Sequence, residues 1–203
     1  MPTILDVSEF IPRKVLPVFC VLDIPMSMDE EQNTRVNTIM LEMVDLLREK
    51  ANKLYSSELR IAVLQSYGTS QWLTDGLISP EDFSWQGLKA SGASNFGNTL
   101  NELNNKLSRE QFLVSEVGFK APVIIFMSDG EPTDDYESAL NKIKSNNNFF
   151  KVSTKIVAAV GNDANVQVLQ EITGNKEAVI KVNDEESTKS LMEIIRKAMK
   201  IYF

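Results

Sequence analysis

Two hydrophobic rhythms alternate along this chain. Residues 18–22 form a continuous apolar run, the signature of a strand covered on both faces. Over residues 29–54 the apolar positions Val36, Ile39, Met40, Met43, Val44, Leu47, Ala51 and Leu54 recur at three- and four-residue spacing, which predicts an amphipathic helix. Residues 59–65 read as a second strand and residues 71–74 as a short third. A loop with the turn pairs Asp75-Gly76 and Ser79-Pro80 follows. A glycine- and serine-rich stretch, residues 91–97, feeds a helix over about 98–107. The next connection, 108–120, carries Phe112, Leu113, Val114 and Val117, so it is expected to pack against the body.

The alternation then continues to the end. Residues 123–127 predict a strand, 134–146 a helix with Asp134 or Asp135 as its N-cap, and 155–160 a strand closed by Gly161. A short helix over 165–173 ends at Gly174, residues 178–182 form the last strand, and 185–201 a final amphipathic helix. Alternating strands and helices imply an α/β fold: a doubly wound, mostly parallel sheet with helices on both faces and one short antiparallel edge strand. No linker or repeat divides the chain. It reads as an N-terminal arm over residues 1–12 and a single domain over 13–203.

Composition narrows the chemistry. The chain has 203 residues, 43% of them hydrophobic, enough to build a core without disulfides or a structural metal. A net charge of −7 opposes binding to nucleic acid or to anionic membranes. No apolar stretch approaches the length of a membrane span and no leader pattern precedes the first strand, so a cytoplasmic location is expected. The single cysteine, Cys20, lies inside a strand run and reads as a buried apolar residue. There is no histidine. Ser-His-Asp and Cys-His catalysis and the common zinc sites are thereby excluded, and any bound metal is a hard cation held by oxygen.

Two apolar strand runs end in similar ways. One is Leu16-Pro17-Val18-Phe19-Cys20-Val21-Leu22-Asp23, followed by Ile24-Pro25-Met26-Ser27-Met28. The other is Pro122-Val123-Ile124-Ile125-Phe126-Met127-Ser128-Asp129, followed by Gly130-Glu131-Pro132-Thr133-Asp134. In a doubly wound sheet ligands bind beyond the carboxyl ends of the strands. Asp23 and Asp129 at two such ends, with hydroxyls at Ser27, Ser91 and Ser94, form an oxygen-rich group suited to Mg²⁺ or Mn²⁺.

These stretches, with Ala90-Ser91-Gly92-Ala93-Ser94, resemble von Willebrand factor A (VWA) domains over about residues 12–203, and within them the bacterial TerY-like branch linked to tellurium resistance. The resemblance implies a protein-binding module whose metal-ion-dependent adhesion site uses an Asp-x-Ser-x-Ser motif, a distant threonine and a distant aspartate. By that likeness Asp23, Ser27, Ser94 and Asp129 would hold Mg²⁺. The first motif serine is Pro25, which has no side-chain oxygen, so the site is expected to be degenerate and its metal weakened or absent. Pro25, Met26, Met28, Ser91 and Glu131 would form a partner-binding rim. The implied partner is another protein offering an acidic residue, with a kinase or PP2C-like phosphatase suggested by the branch, and the implied role is an adaptor in bacterial stress or phospho-signalling. The competing reading is a Mg²⁺-dependent phosphohydrolase using Asp23 as nucleophile. Proline at position 25, where a second carboxylate would stand, speaks against it.

Overall fold

The computed structural model describes residues 12–175 and 178–200. Residues 1–11 of the expected arm and the end of the last predicted helix beyond Lys200 lie outside the described residues. The elements run β1 (Lys14–Asp23), α1 (Glu30–Ala51), β2 (Ser57–Ser66), β3 (Ser70–Trp72), α2 (Phe96–Lys106), β4 (Val123–Ser128), α3 (Tyr136–Asn146), α4 (Asn148–Val152), β5 (Thr154–Val160), α5 (Val166–Thr173), β6 (Val179–Val182) and α6 (Glu185–Lys200). A 3₁₀ turn at Pro80–Asp82 interrupts the connection from β3 to α2.

The six strands lie in the order β3-β2-β1-β4-β5-β6, parallel throughout except for β3, which pairs antiparallel with β2. The expected doubly wound sheet with one short antiparallel edge strand is present. Side chains of β1 alternate between two cores. Leu16, Val18, Cys20 and Leu22 pack on the side of α1 and α6. Phe19 and Val21 pack on the side of α2, α3 and α5. A strand buried on both faces has no polar side to mark, which explains its unbroken apolar run.

β1 extends beyond the apolar run at both ends because its ladder with β2 spans Lys14↔Ser57 to Asp23↔Ser66. α4 was absent from the predicted elements. Its signal is not periodicity but one side chain: Asn147 caps it by accepting from Phe150 N at 3.0 Å while its amide donates to Leu107 O at 3.0 Å. The connection 108–120 does pack, with Leu113 buried and Phe112 against Trp72 at 4.8 Å between ring centroids. Val114 stays exposed.

Candidate functional site

β1 lies between β2 and β4; α1, which joins β1 to β2, packs on one face of the sheet, and α2, which precedes β4, packs on the other. The strand order therefore reverses between β1 and β4, the place where open α/β sheets leave a crevice at their carboxyl ends. Asp23 is the last residue of β1, and Asp129 directly follows β4.

Asp23 is 1% exposed. Its Oδ2 accepts from Ser94 Oγ and from Ser128 Oγ, both at 2.8 Å. Its Oδ1 is buried with no hydrogen-bond partner, as is the hydroxyl of Ser66, the residue opposite Asp23 in the β1–β2 ladder. Burial pushes the Asp23 carboxyl up to about 7. The two serine hydroxyls act against this rise, and the charges of Asp129 and Asp134 add to it. Asp129 accepts from Ser27 Oγ at 2.6 Å through Oδ2 and from Glu131 N at 3.1 Å through Oδ1. The structure thus brings Asp23, Ser27, Ser94 and Asp129 into one cluster, as two linked carboxylate–hydroxyl pairs.

Ser128 belongs to the cluster and was not singled out from the sequence. It accepts from Gly130 N at 2.9 Å while donating to Asp23, so it ties the turn after β4 to the end of β1. The parallel ladder sets Leu22 beside Met127, so Ser128 is level with Asp23 and shares its face of the sheet, a match of register that the strand pattern of either segment does not reveal.

The loop through Pro25 is tied on both sides by backbone hydrogen bonds. Ile24 N donates to Ser66 O at 3.0 Å, Met26 N to Gly92 O at 2.9 Å and Met28 N to Pro25 O at 3.0 Å. Proline lacks an N–H, so it leaves no donor unpaired in this turn. The expected rim needs correction. Pro25 and Met28 are buried, Met28 at 4% exposure within the α1-side core, because the turn at 25–28 folds them inward. Met26 at 72% exposure and Glu131 remain on the surface, with Ser91 half-buried. Ser27 does not cap α1. Asp29 does, accepting from Gln32 N at 2.8 Å while its own N–H donates to Gln32 Oε1 at 2.7 Å, a capping box.

Each flanking loop is pinned. Gly92 has φ +64° and sits so close to the β2–β3 turn that a Cβ there would lie 2.7 Å from Tyr67 O. Asn95 donates from Nδ2 to Gly68 O, joining the same two loops. Of the two acids weighed as caps for α3, Asp135 caps it through Ser138 N at 3.2 Å. Asp134 instead reaches across to the first turn of α2, accepting from Gly97 N at 2.8 Å and Asn98 N at 2.9 Å. Thr133 likewise donates to Ser94 O at 2.8 Å.

Hydroxyls and carboxylates converging on a buried, incompletely satisfied oxygen suit a hard divalent cation. Asp23, Asp129, Ser27 and Ser94 are the residues that would hold it. No group of three or more His, Cys, Asp or Glu side chains with metal-binding placement occurs among the described residues, so this donor set carries two carboxylates and otherwise neutral oxygens. Among the described residues no helix is long and apolar enough to cross a membrane.

No protein-family model matches the chain, and no curated protein matches it. Solved structures do. Proximal thread matrix protein 1 from the mussel byssus superposes with a TM-score of 0.60 at 16% identity over 91% of this chain, which spans 48% of that protein. BatB from Bacteroides thetaiotaomicron gives 0.57 at 17% identity, covering 91% of this chain and 99% of that one. The ArnB paralog VWA2 from Sulfolobus acidocaldarius gives 0.57 at 17% identity, with coverage of 90% and 44%. A further structure of the mussel protein is described as having a zinc-occupied MIDAS motif. At these identities the likeness is one of fold: this chain has the α/β fold of VWA-domain proteins.

Proposed function

We propose that this protein is a non-enzymatic, protein-binding module of the VWA type whose docking surface is the carboxyl edge of the sheet around Asp23 and Asp129. The observation that carries the proposal is the buried Asp23 carboxylate at the strand-order reversal. One of its oxygens is held by two serine hydroxyls and the other has no partner. A buried oxygen left this way costs stability and calls for a ligand that satisfies it.

The ligand we assign is a divalent cation, Mg²⁺ by the resemblance, with Asp23, Ser27, Ser94 and Asp129 as its holders. When bound, the cation supplies a fixed positive charge toward which a partner's acidic side chain is drawn. Met26 and Glu131 flank that point and contribute to partner choice. Pro25 removes one oxygen from the donor set, so the affinity is lower than that of an Asp-x-Ser-x-Ser site. A cytoplasmic adaptor role in bacterial stress or phospho-signalling, with a kinase or PP2C-like phosphatase as partner, follows from the likeness of residues 127–134 to the TerY-like branch. The absence of histidine, and proline at position 25, support binding over catalysis.

Calorimetric titration of Mg²⁺ and Mn²⁺ into the protein and into Pro25→Ser tests the reading. Saturable binding that tightens in the variant is the expected result. No binding in either protein removes the cation. Turnover of a generic phosphomonoester that disappears in Asp23→Asn would overturn the binding-module reading.

A further inference from the structure

The connection from β3 to α2, residues 73–95, crosses one flank of α1 as a long strap. Connections of this length without their own secondary structure are uncommon in compact domains and tend to be functional. Apart from the 3₁₀ turn and a bridge between Ile78 and Ile61 it has no regular structure. Phe83 is buried on the α1-side core, and Trp85, Leu88 and Ala90 pack against that core. Polar side chains of α1 bind its backbone at two levels. At the lower level Arg48 donates from Nε to Pro80 O at 3.1 Å and from Nη2 to Phe83 O at 2.7 Å.

At the upper level Asn37 grips the strap from both sides. Its Oδ1 accepts from Leu88 N at 2.7 Å and from Trp85 Nε1 at 3.1 Å, and its Nδ2 donates to Leu88 O at 2.9 Å. One turn earlier, the Asn33 amide, assigned the orientation that satisfies both of its polar atoms, accepts from Ala90 N at 3.1 Å and donates to Leu88 O at 2.9 Å. Asparagine is a poor helix-interior residue, so two of them one turn apart on α1 call for a reason beyond the helix. Immediately past Ala90, Ser91 N donates to Ile24 O at 3.3 Å, Gly92 O takes the Met26 N–H, and Ser94 reaches Asp23.

We propose that Asn37 is a positioning residue of the Asp23–Asp129 cluster. By clamping Leu88 to α1 it sets the height of the Ser91–Ser94 loop against the Pro25–Ser27 turn. That turn leads directly into the same helix, so both loops of the site hang from α1. The consequence for cation affinity rests on the function proposed above; the consequence for loop position does not.

The test compares amide hydrogen exchange in the wild-type protein, Asn37→Ala and Arg48→Ala, read at Met26 and Ser91 relative to Cys20 within β1. Dividing by Cys20 removes any general loss of stability. The expected result is exchange at Met26 and Ser91 faster by about tenfold or more in Asn37→Ala and within twofold of wild type in Arg48→Ala. Asn37→Asp, which keeps the acceptor for Leu88 N and Trp85 but loses the donor to Leu88 O, should lie between and serves if the alanine variant does not fold. No selective rise in the Asn37 variants, or an equal rise in Arg48→Ala, overturns the proposal. In a Pro25→Ser background, Asn37→Ala should weaken Mn²⁺ binding about tenfold, the scale on which outer-shell partners tune metal affinity. If Pro25→Ser binds no Mn²⁺, the cation reading fails, and the exchange data still decide the role of Asn37.

Discussion

Replacing Asp23 by asparagine should make the metal-free protein more stable at alkaline pH, although it deletes a carboxylate from the proposed site. The Asp23 carboxyl is pushed up to about 7 from the usual 3.8, chiefly by burial. A carboxyl whose folded value lies above its unfolded value favours folding while it stays protonated. That contribution is intact below about pH 4 and is lost as pH rises through about 7. Above pH 8 the folded state therefore bears a buried charge at a cost of about 4 kcal/mol. Asparagine removes the charge and keeps an oxygen to accept from Ser94 and Ser128. It also places an amide where Oδ1 has no partner, costing roughly 1–3 kcal/mol. The net gain is about 1–3 kcal/mol at pH 8.5, or roughly 5 °C in Tm for a domain of this size. Thermal unfolding in chelator at pH 4.5 and 8.5 measures it. The gain should vanish or reverse at pH 4.5, and adding Mg²⁺ at pH 8.5 should raise the wild type and leave the variant unchanged. A variant no more stable than wild type at pH 8.5, or an equal gain at both pH values, would refute desolvation as the governing effect at Asp23.

Three further outcomes are expected. Asp134→Ala removes acceptors from Gly97 N and Asn98 N at the start of α2 and should cost about 1–2 kcal/mol in urea unfolding, with Asp134→Asn losing less. Gly92→Ala places a Cβ 2.7 Å from Tyr67 O at a φ of +64° and should destabilise by roughly 1–3 kcal/mol, while Gly76→Ala, with open space around it, should not. Burial pushes the Cys20 thiol well above its usual range, so a thiol-specific reagent should label the native protein only at the rate of unfolding and label it promptly in denaturant.

The sheet was legible because its central strands are apolar on both faces, and the short uninterrupted runs at residues 18–22 and 123–127, bounded by turn residues and alternating with helices, read as interior strands of an α/β fold. The long amphipathic helix was equally plain. Asp23 and Asp129 could be nominated because carboxylates following such strands gather at one edge by topology; Ser27 and Ser94 were implied as their companions by the resemblance to VWA domains. What escaped the reading depends on contacts between residues distant in sequence. Asp134 and Asp135 were equal candidates to cap the helix after them; Asp135 does so, while Asp134 serves α2, because the close approach of Gly97 to Asp135 O brings the two helix starts together. Met28 was a rim candidate whose exposure the sequence left open, and the turn after Pro25 folds it into the core. Asn33 and Asn37 registered only as polar positions on a helix. Their partners, the backbone of Leu88 and Ala90 and the indole of Trp85, lie on a strap with no periodicity, for which sequence patterns carry no signal.

The bond from Asp134 to the start of α2 bears on what a partner of the proposed kind would meet on arrival. The turn after β4 is anchored at one end through Asp129 to Ser27 and at the other through Asp134 to a different helix, with Thr133 fastened to Ser94 between them. Little conformational freedom remains to be surrendered on association, where ordering a mobile side chain costs about 0.5–1.5 kcal/mol. Recognition at this edge should therefore resemble the meeting of two rigid bodies. Its association rate should depend weakly on loop motion, and binding should leave the backbone of residues 129–135 nearly unmoved.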